Sequence, residues 1–237
     1  MRINKNRKQQ IYKRNVPKRK IKLNGLCVCV DFGDYLDYTM RYNRSIFDTV
    51  TIVTTDKDYE TKRVCHKYNL NVVVTKRLYE DDAPFNKGKA INDGYLEMDK
   101  EDWICIFDAD IIFPFFHNIL HKLDQKMLYS IPRKDINITK HISNITQSSH
   151  ENELRLCSDE CLIGYCQLFH STSINTKHLY HEKFPTTRRS DTKFSKRFTI
   201  DKNIYIANLL CYHISQKNIN WSGRVSQRLV GRVNEVE

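Results

Sequence analysis

No apolar run in this chain approaches the roughly 20 residues that a membrane-spanning helix needs. The first residues also lack an apolar core of the kind that directs secretion. These two absences lead us to expect a cytoplasmic protein, in the host cytoplasm if it is virus-encoded. Its Lys-, Asn- and Ile-rich composition would suit an AT-rich genome such as a large virus or some bacteria. There is no internal repeat, which removes repeat architectures from consideration. Acidic residues are missing from positions 1–22, where ten Lys or Arg stand. The remaining 29 basic residues face 28 acidic ones, so the net charge of +11 belongs to a tail and the rest is nearly neutral. Residues 1–22 are therefore expected to be a disordered basic arm, able to contact anionic surfaces. The eight cysteines sit mostly in apolar segments (Cys27, Cys29, Cys105, Cys211), as in a reducing compartment. Without a secretion signal, the Asn-x-Ser/Thr sequons at Asn43, Asn137, Asn144 and Asn220 are treated as chance matches.

What is present, over residues 23–237, has the length of one domain with a proper core. Leu26–Val30, Val50–Thr55, Leu70–Thr75 and Trp103–Phe107 read as strands. Between them lie helical patterns over Tyr35–Phe47, through Thr61, Val64, Cys65 and Tyr68, and through Ala90, Ile91, Tyr95 and Met98. Strands alternating with helices call for a parallel sheet with right-handed crossovers. The second half is less regular. A helix is expected over Phe115–Gln125, and strands over Met127–Ile131, Leu162–His170 and Leu209–Ile214. A mobile loop is expected over Ile136–Arg155, and a polar turn with a short helix over Thr186–Phe198.

The chain is organised around Trp103–Pro114, where an apolar strand delivers Asp108 and Asp110 and a second apolar run follows at once. Carboxylates at i and i+2 in extended backbone point to the same side, so both can serve one cation. The carboxyl end of a parallel strand is where open α/β sheets keep their ligands. Hard oxygens suit Mg²⁺ or Mn²⁺, and those ions suit a diphosphate. The bare motif would also suit a turn capped by two acids. Asp56, just past the second strand, stands where a nucleobase or ribose would be met, or where it would cap the next helix.

The segment Phe85-Asn86-Lys87-Gly88-Lys89-Ala90-Ile91-Asn92-Asp93-Gly94, followed by Phe107-Asp108-Ala109-Asp110, resembles GT-A glycosyltransferases. The likeness is to the β-1,4-galactosyltransferase and polypeptide N-acetylgalactosaminyltransferase-like groups and their viral and bacterial relatives. Gly164–Phe169 resembles their strand flanking the donor sugar, and Arg188–Phe194 their segment with the acidic catalytic residue. Tyr212-His213-Ile214, then Asn220-Trp221-Ser222-Gly223, resembles the late strand that supplies a metal-binding His. Ser190-Asp191 stands where the galactosyltransferases have a Gly-rich, multiply acidic segment, so donor sugar and acceptor do not carry over.

The resemblance implies a GT-A-like, Rossmann-like α/β fold with a mostly parallel sheet and a less regular acceptor-side half. It implies a hexosyltransferase that moves a sugar from a nucleotide donor, UDP-linked by expectation, to a hydroxyl of a glycan, protein or other acceptor, with inversion. Asp108, Asp110 and His213 would hold Mn²⁺ or Mg²⁺. Asp191 would be the general base, or simply a helix N-cap. Lys87 and Lys89 would add charge near the phosphates or base, and Trp221 would stack on a sugar or close the core. Asp31, Asp56, Phe85 and Asp108 complete the expected substrate-binding set.

Two rivals remain at this level. Cys157, Cys161, Cys166 and His170 have roughly zinc-like spacing, although the first gap exceeds the usual two residues. With the basic arm they would make a nucleic-acid-binding module. The other rival keeps the fold as a nucleotide-sugar-binding protein without turnover.

Overall fold

The computed structural model describes residues 19–136, 154–155, 164–184 and, with short breaks, 186–229. The first half follows the expected alternation. Strands β1 (Leu23–Val28), β2 (Thr49–Thr54), β3 (Asn71–Val74) and β4 (Trp103–Phe107) are linked through helices α1 (Gly33–Asn43), α2 (Tyr59–Lys67) and α3 (Lys87–Glu97). The four strands are parallel in the order β3-β2-β1-β4. Alternate residues of each strand serve opposite faces. Leu23, Cys27, Ile52, Trp103, Cys105 and Phe107 pack with α1 and α2 residues Leu36, Met40, Val64 and Cys65. Leu26, Val53, Ile104 and Ile106 pack with α3 residues Ala90, Ile91, Tyr95 and Met98. Gly94 sets how closely α3 approaches the sheet, since a Cβ there would lie 2.4 Å from Val53 Cγ2 and 2.6 Å from Leu26 Cδ1.

Beyond β4 the sheet continues antiparallel through β9 (Cys166–His170) to β6 (Leu128–Ser130), and β10 (Asn203–Tyr205) runs parallel to β6 at the edge. A second, four-stranded sheet has the order β5-β11-β7-β8, from Ile111–Ile112, Cys211–Ile214, Arg133–Ile136 and Leu154–Arg155. A short helix, α4 (Ser190–Ser195), follows β9.

Several expectations shift. The helix expected over Phe115–Gln125 is only a 3₁₀ segment, His117–Lys122. The chain turns at Asp124, whose N–H donates to Tyr129 Oη (2.8 Å) and whose carboxylate accepts from Lys126 N–H (2.9 Å). The expected helix Tyr35–Phe47 starts and stops earlier, at Gly33 and Asn43. Both ends of the expected loop Ile136–Arg155 belong to strands, while 137–153 lie outside the described residues. Of the expected basic arm, Arg19, Lys20 and Lys22 lie on the domain. Arg19 pairs with Asp102 (2.7 Å), Lys20 with Asp48 (2.6 Å) and Lys22 with Glu101 (2.8 Å).

Candidate active site

The turn Asp108-Ala109-Asp110 between β4 and β5 is fixed by backbone contacts on every side. Asp108 N–H donates to the Tyr165 carbonyl (3.4 Å), and Ile214 N–H donates to the Asp110 carbonyl (2.8 Å). Helix α1 supplies two side chains one turn apart. Thr39 Oγ1 donates to the Ala109 carbonyl (2.8 Å), and Asn43 Nδ2 donates to the Ile111 carbonyl (2.7 Å). Asn43 Oδ1 also accepts from Phe113 N–H (3.0 Å). Thr39 and Asn43 are fully buried, so these bonds are shielded from water. Burial also removes Asn43 from consideration as a glycosylation acceptor in the folded chain.

Strand β11 brings His213 to this turn. It pairs antiparallel with β5 and parallel with β7, which sets His213 opposite Ile111 on one side and Asp135 on the other. His213 Nε2 lies 3.2 Å from Asp110 Oδ2, and Nδ1 lies 2.8 Å from Asp135 Oδ1. Burial opposes a charge on the ring, but Asp110 and Asp135 outweigh it and raise the pKa to about 9. In the metal-free protein at neutral pH the imidazolium therefore bridges two carboxylates, and a cation bound at Nε2 would take the place of that proton. Asp135 is absent from the sequence-level candidates, because nothing in Arg133-Lys134-Asp135 marks it before the sheet forms.

On the other carboxylate, Lys87 Nζ makes a very short contact with Asp108 Oδ1. Lys87 is the first residue of α3, and its side chain is 12% exposed. Desolvation lowers its pKa, but the charge and hydrogen bond of Asp108, joined by the charge of Asp191, raise it above an ordinary lysine. It therefore stays an ammonium. Desolvation, joined by the charge of Asp110, raises the Asp108 carboxyl above the usual carboxylate range, with Lys87 opposing the shift. Asp191 lies in the first turn of α4, where Oδ2 accepts from Gly164 N–H (2.9 Å) and Oδ1 from Thr192 N–H (2.7 Å). Gly164 precedes Tyr165, the partner of Asp108, so Asp191 is tethered beside the end of β4. The N-cap of α4 is Arg189, not Asp191.

Other candidates lie apart from this cluster. Lys89 turns away from Asp108 to pair with Glu80 (3.0 Å) and Asp81 (2.6 Å). Phe85 is buried and meets Tyr79 edge-on. Asp31 and Asp56 are exposed just past β1 and β2, on the same sheet edge as Asp108. The residue that caps α2 is Asp58, two positions beyond Asp56. Its carboxylate accepts from Thr61 N–H (3.0 Å), Thr54 Oγ1 (3.0 Å) and Asp31 N–H (2.8 Å). Trp221 lies outside the described residues.

The Phe85–Gly94 motif has structural work of its own. Asn86 caps α3 by accepting from Lys89 N–H (3.0 Å) and donates to the Glu182 carbonyl (2.7 Å). Asn92 exchanges two bonds of 2.9 Å with the Tyr180 backbone. Arg77 joins Asp93 (2.6 Å) to Glu182 (2.7 Å). The motif thus fastens residues 180–182 to α3.

Of the four residues of the zinc-like constellation, Cys157 and Cys161 lie outside the described residues. Cys166 is buried within β9, and His170 four residues on bonds Thr172 Oγ1 (2.8 Å). Residues four apart on a strand stand about 13 Å from each other, too far to share an ion. Among the described residues, no group of three or more His, Cys, Asp or Glu is gathered as an ion-holding cluster. The donors at the β4 end nevertheless fit a divalent cation chemically. Asp110 Oδ1 is buried with no hydrogen-bond partner. Carboxylate oxygens and an imidazole backed by a second carboxylate are the usual setting of such an ion.

No protein-family model matches the sequence, and no curated protein matches it. Solved structures do resemble the fold. Glucosyl-3-phosphoglycerate synthase from Mycobacterium tuberculosis, in complex with Mn²⁺, UDP-glucose and phosphoglyceric acid, superposes with a TM-score of 0.54. The identity is 10%, over 83% of this chain and 73% of that one. A mannosyltransferase from Pyrobaculum calidifontis, in complex with GDP-mannose and Mn²⁺, gives 0.51 at 12% identity, over 85% of this chain and 59% of that one. This chain thus spans less than two thirds of that mannosyltransferase. A mycobacterial protein gives 0.53 at 12% identity, covering 83% and 68%. With its helix-flanked, mostly parallel seven-stranded sheet, the chain has the GT-A-like α/β fold seen in these glycosyltransferases.

Proposed function

We propose that this protein is a metal-dependent glycosyltransferase that moves a sugar from a nucleoside diphosphate donor to a hydroxyl acceptor. The observation that carries this reading is the meeting of His213 with Asp110, 103 residues apart in sequence, at the carboxyl end of β4. Lys87, Asp108 and Asp191 share that strand end. Asp108, Asp110 and His213 would hold Mn²⁺ or Mg²⁺, which supplies Lewis-acid stabilisation of the leaving diphosphate when bound. Asp135 fixes the His213 ring so that Nε2 faces the cation side. Lys87 offers an ammonium to a phosphate oxygen. Exposed Asp31 and Asp56, on the same edge, would meet the ribose or base, and UDP is the favoured nucleotide.

In the reaction, the acceptor oxygen bonds to the anomeric carbon as the bond from that carbon to the diphosphate oxygen breaks. The acceptor proton passes to a carboxylate, and the electron pair of the broken bond leaves with the diphosphate. Asp191 is the proposed base. Each of its oxygens already accepts one N–H, which orients the carboxylate and leaves a second lone pair free. With the base opposite the leaving group, the product would be inverted.

The test is release of nucleoside diphosphate from a panel of UDP- and GDP-sugars with Mn²⁺, with and without small hydroxyl acceptors. Acceptor-stimulated, Mn²⁺-dependent release that falls about 100-fold or more in Asp191→Asn is expected. Wild-type turnover in Asp191→Asn would remove Asp191 from the mechanism. Binding of the donor without any release would favour a nucleotide-sugar-binding protein instead.

A further inference from the structure

Each carboxylate of the Asp108–Asp110 turn meets a basic side chain of the chain itself, and the two side chains differ in how they are held. His213 stands in a strand paired on both sides, and its ring is held between Asp110 and Asp135. Lys87 reaches Asp108 from the first turn of α3 on a flexible four-carbon stem. Its neighbours commit that helix end rather than the side chain. Asn86 caps the helix, and Gly88 lies so close to the His181 carbonyl that a Cβ would be 2.7 Å from it. Lys89, two residues on, is engaged by Glu80 and Asp81 and cannot take over at Asp108.

Building on the glycosyltransferase reading, we propose that Lys87 is an internal gate for the metal. In the nucleotide-free protein its ammonium occupies the cation position on Asp108. A divalent ion gains Asp108 only when a diphosphate arrives to take Lys87 onto its own oxygens. An ammonium and a divalent ion cannot share one carboxylate oxygen at contact distance without strong repulsion. A diphosphate offers both cations acceptor oxygens and so removes the conflict. Metal and nucleotide then bind with positive coupling, each raising the affinity for the other by the same factor. The free site does not accumulate metal, and donor binding completes it.

The experiment is titration of the purified protein with Mn²⁺, followed by the electron paramagnetic resonance signal of free aquo-Mn²⁺, with and without saturating UDP. Wild type is compared with Lys87→Gln, Lys87→Met and Lys87→Arg. Without UDP, the Gln and Met variants are expected to bind Mn²⁺ about tenfold tighter than wild type, and Arg to remain as weak. With UDP, the gain in Mn²⁺ affinity is expected to be large in wild type and small in the Gln and Met variants. Unchanged or weaker nucleotide-free binding in both neutral variants overturns the gate. So does an equal rise in Lys87→Arg, which would make the effect one of packing and not of charge. If wild type binds Mn²⁺ with UDP but the variants do not differ, the gate alone fails. If wild type shows no Mn²⁺ binding even with UDP, the functional reading falls and the gate with it.

Discussion

Asp135 is the residue whose role depends most on its partner. Its carboxylate takes one ring nitrogen of His213 and thereby leaves the other facing Asp110. Carboxylates behind a ligating histidine typically govern metal affinity by about 10- to 100-fold. Asp135→Asn is therefore expected to weaken Mn²⁺ binding by about that factor in the presence of UDP, while the melting temperature moves little. The same titration on Asp135→Glu, which restores the charge, should recover part of the loss. An unchanged affinity in Asp135→Asn would reduce the residue to a structural contact. The sequence could not reveal this residue. Asp108 and Asp110 announce themselves because an apolar strand delivers them, whereas Asp135 sits among half-buried polar residues whose partners lie 78 positions away. Lys89 shows the converse. It shares a motif with Lys87, but a helical step of two residues sends the side chains to different partners.

At the scale of elements, α1 does more than cover the sheet. Thr39 and Asn43 stand one turn apart and hold the carbonyls of Ala109 and Ile111. In Asn43→Ala the Ile111 carbonyl and the Phe113 N–H lose their buried partner, at a cost of about 2 kcal/mol or more. Urea denaturation should show that loss, and metal-dependent UDP binding should weaken with it as the turn loosens. Asn43→Asp, which keeps the acceptor for Phe113 but loses the donor, should fall between. Equal stability of Asn43→Ala and wild type would contradict this account of the turn. The first four strands and three helices were legible because each carries an apolar face in the period of its element. Strand β7 was not, since Arg133-Lys134-Asp135 has no such face. Strand β10 was missed because Ile204 is exposed and its neighbours Asn203 and Tyr205 are only half buried at the sheet edge.

For the whole molecule, the ion pair of Arg224 with Asp34 ties the late part of the chain to the first βα turn. Arg224 meets Asp34 with two bonds, Nη1 to Oδ1 at 2.6 Å and Nη2 to Oδ2 at 2.8 Å, and lies over the Phe32 ring at 4.7 Å. Leu229 N–H adds a third bond to the same carboxylate (2.7 Å). Burial raises the Asp34 pKa, but Arg224 and the Leu229 N–H more than offset it and hold it below the usual carboxylate value. The stabilisation is therefore present above the unfolded-state value of about 3.9 and is lost as pH falls through the depressed folded value. Asp34→Asn should cost about 3 kcal/mol at pH 7, since it removes the carboxylate charge that faces the Arg224 guanidinium in a largely buried pair. Thermal melts from pH 7 down to pH 2 should show that difference shrinking towards acid. A difference independent of pH would assign the effect to packing. This closure was unreadable in sequence, because 190 residues separate the partners. The parallel sheet edge that receives it was readable.

The central claim is that the end of β4 binds a metal–diphosphate, and calorimetric titration of UDP into wild type and Asp110→Ala tests it most directly. With Mn²⁺ present, wild type should bind UDP, and EDTA should abolish or greatly weaken that binding. Asp110→Ala, folded by circular dichroism, should bind as wild type does in EDTA. Equal Mn²⁺-dependent affinity in the two proteins, or no nucleotide binding by wild type with Mn²⁺, would contradict the account.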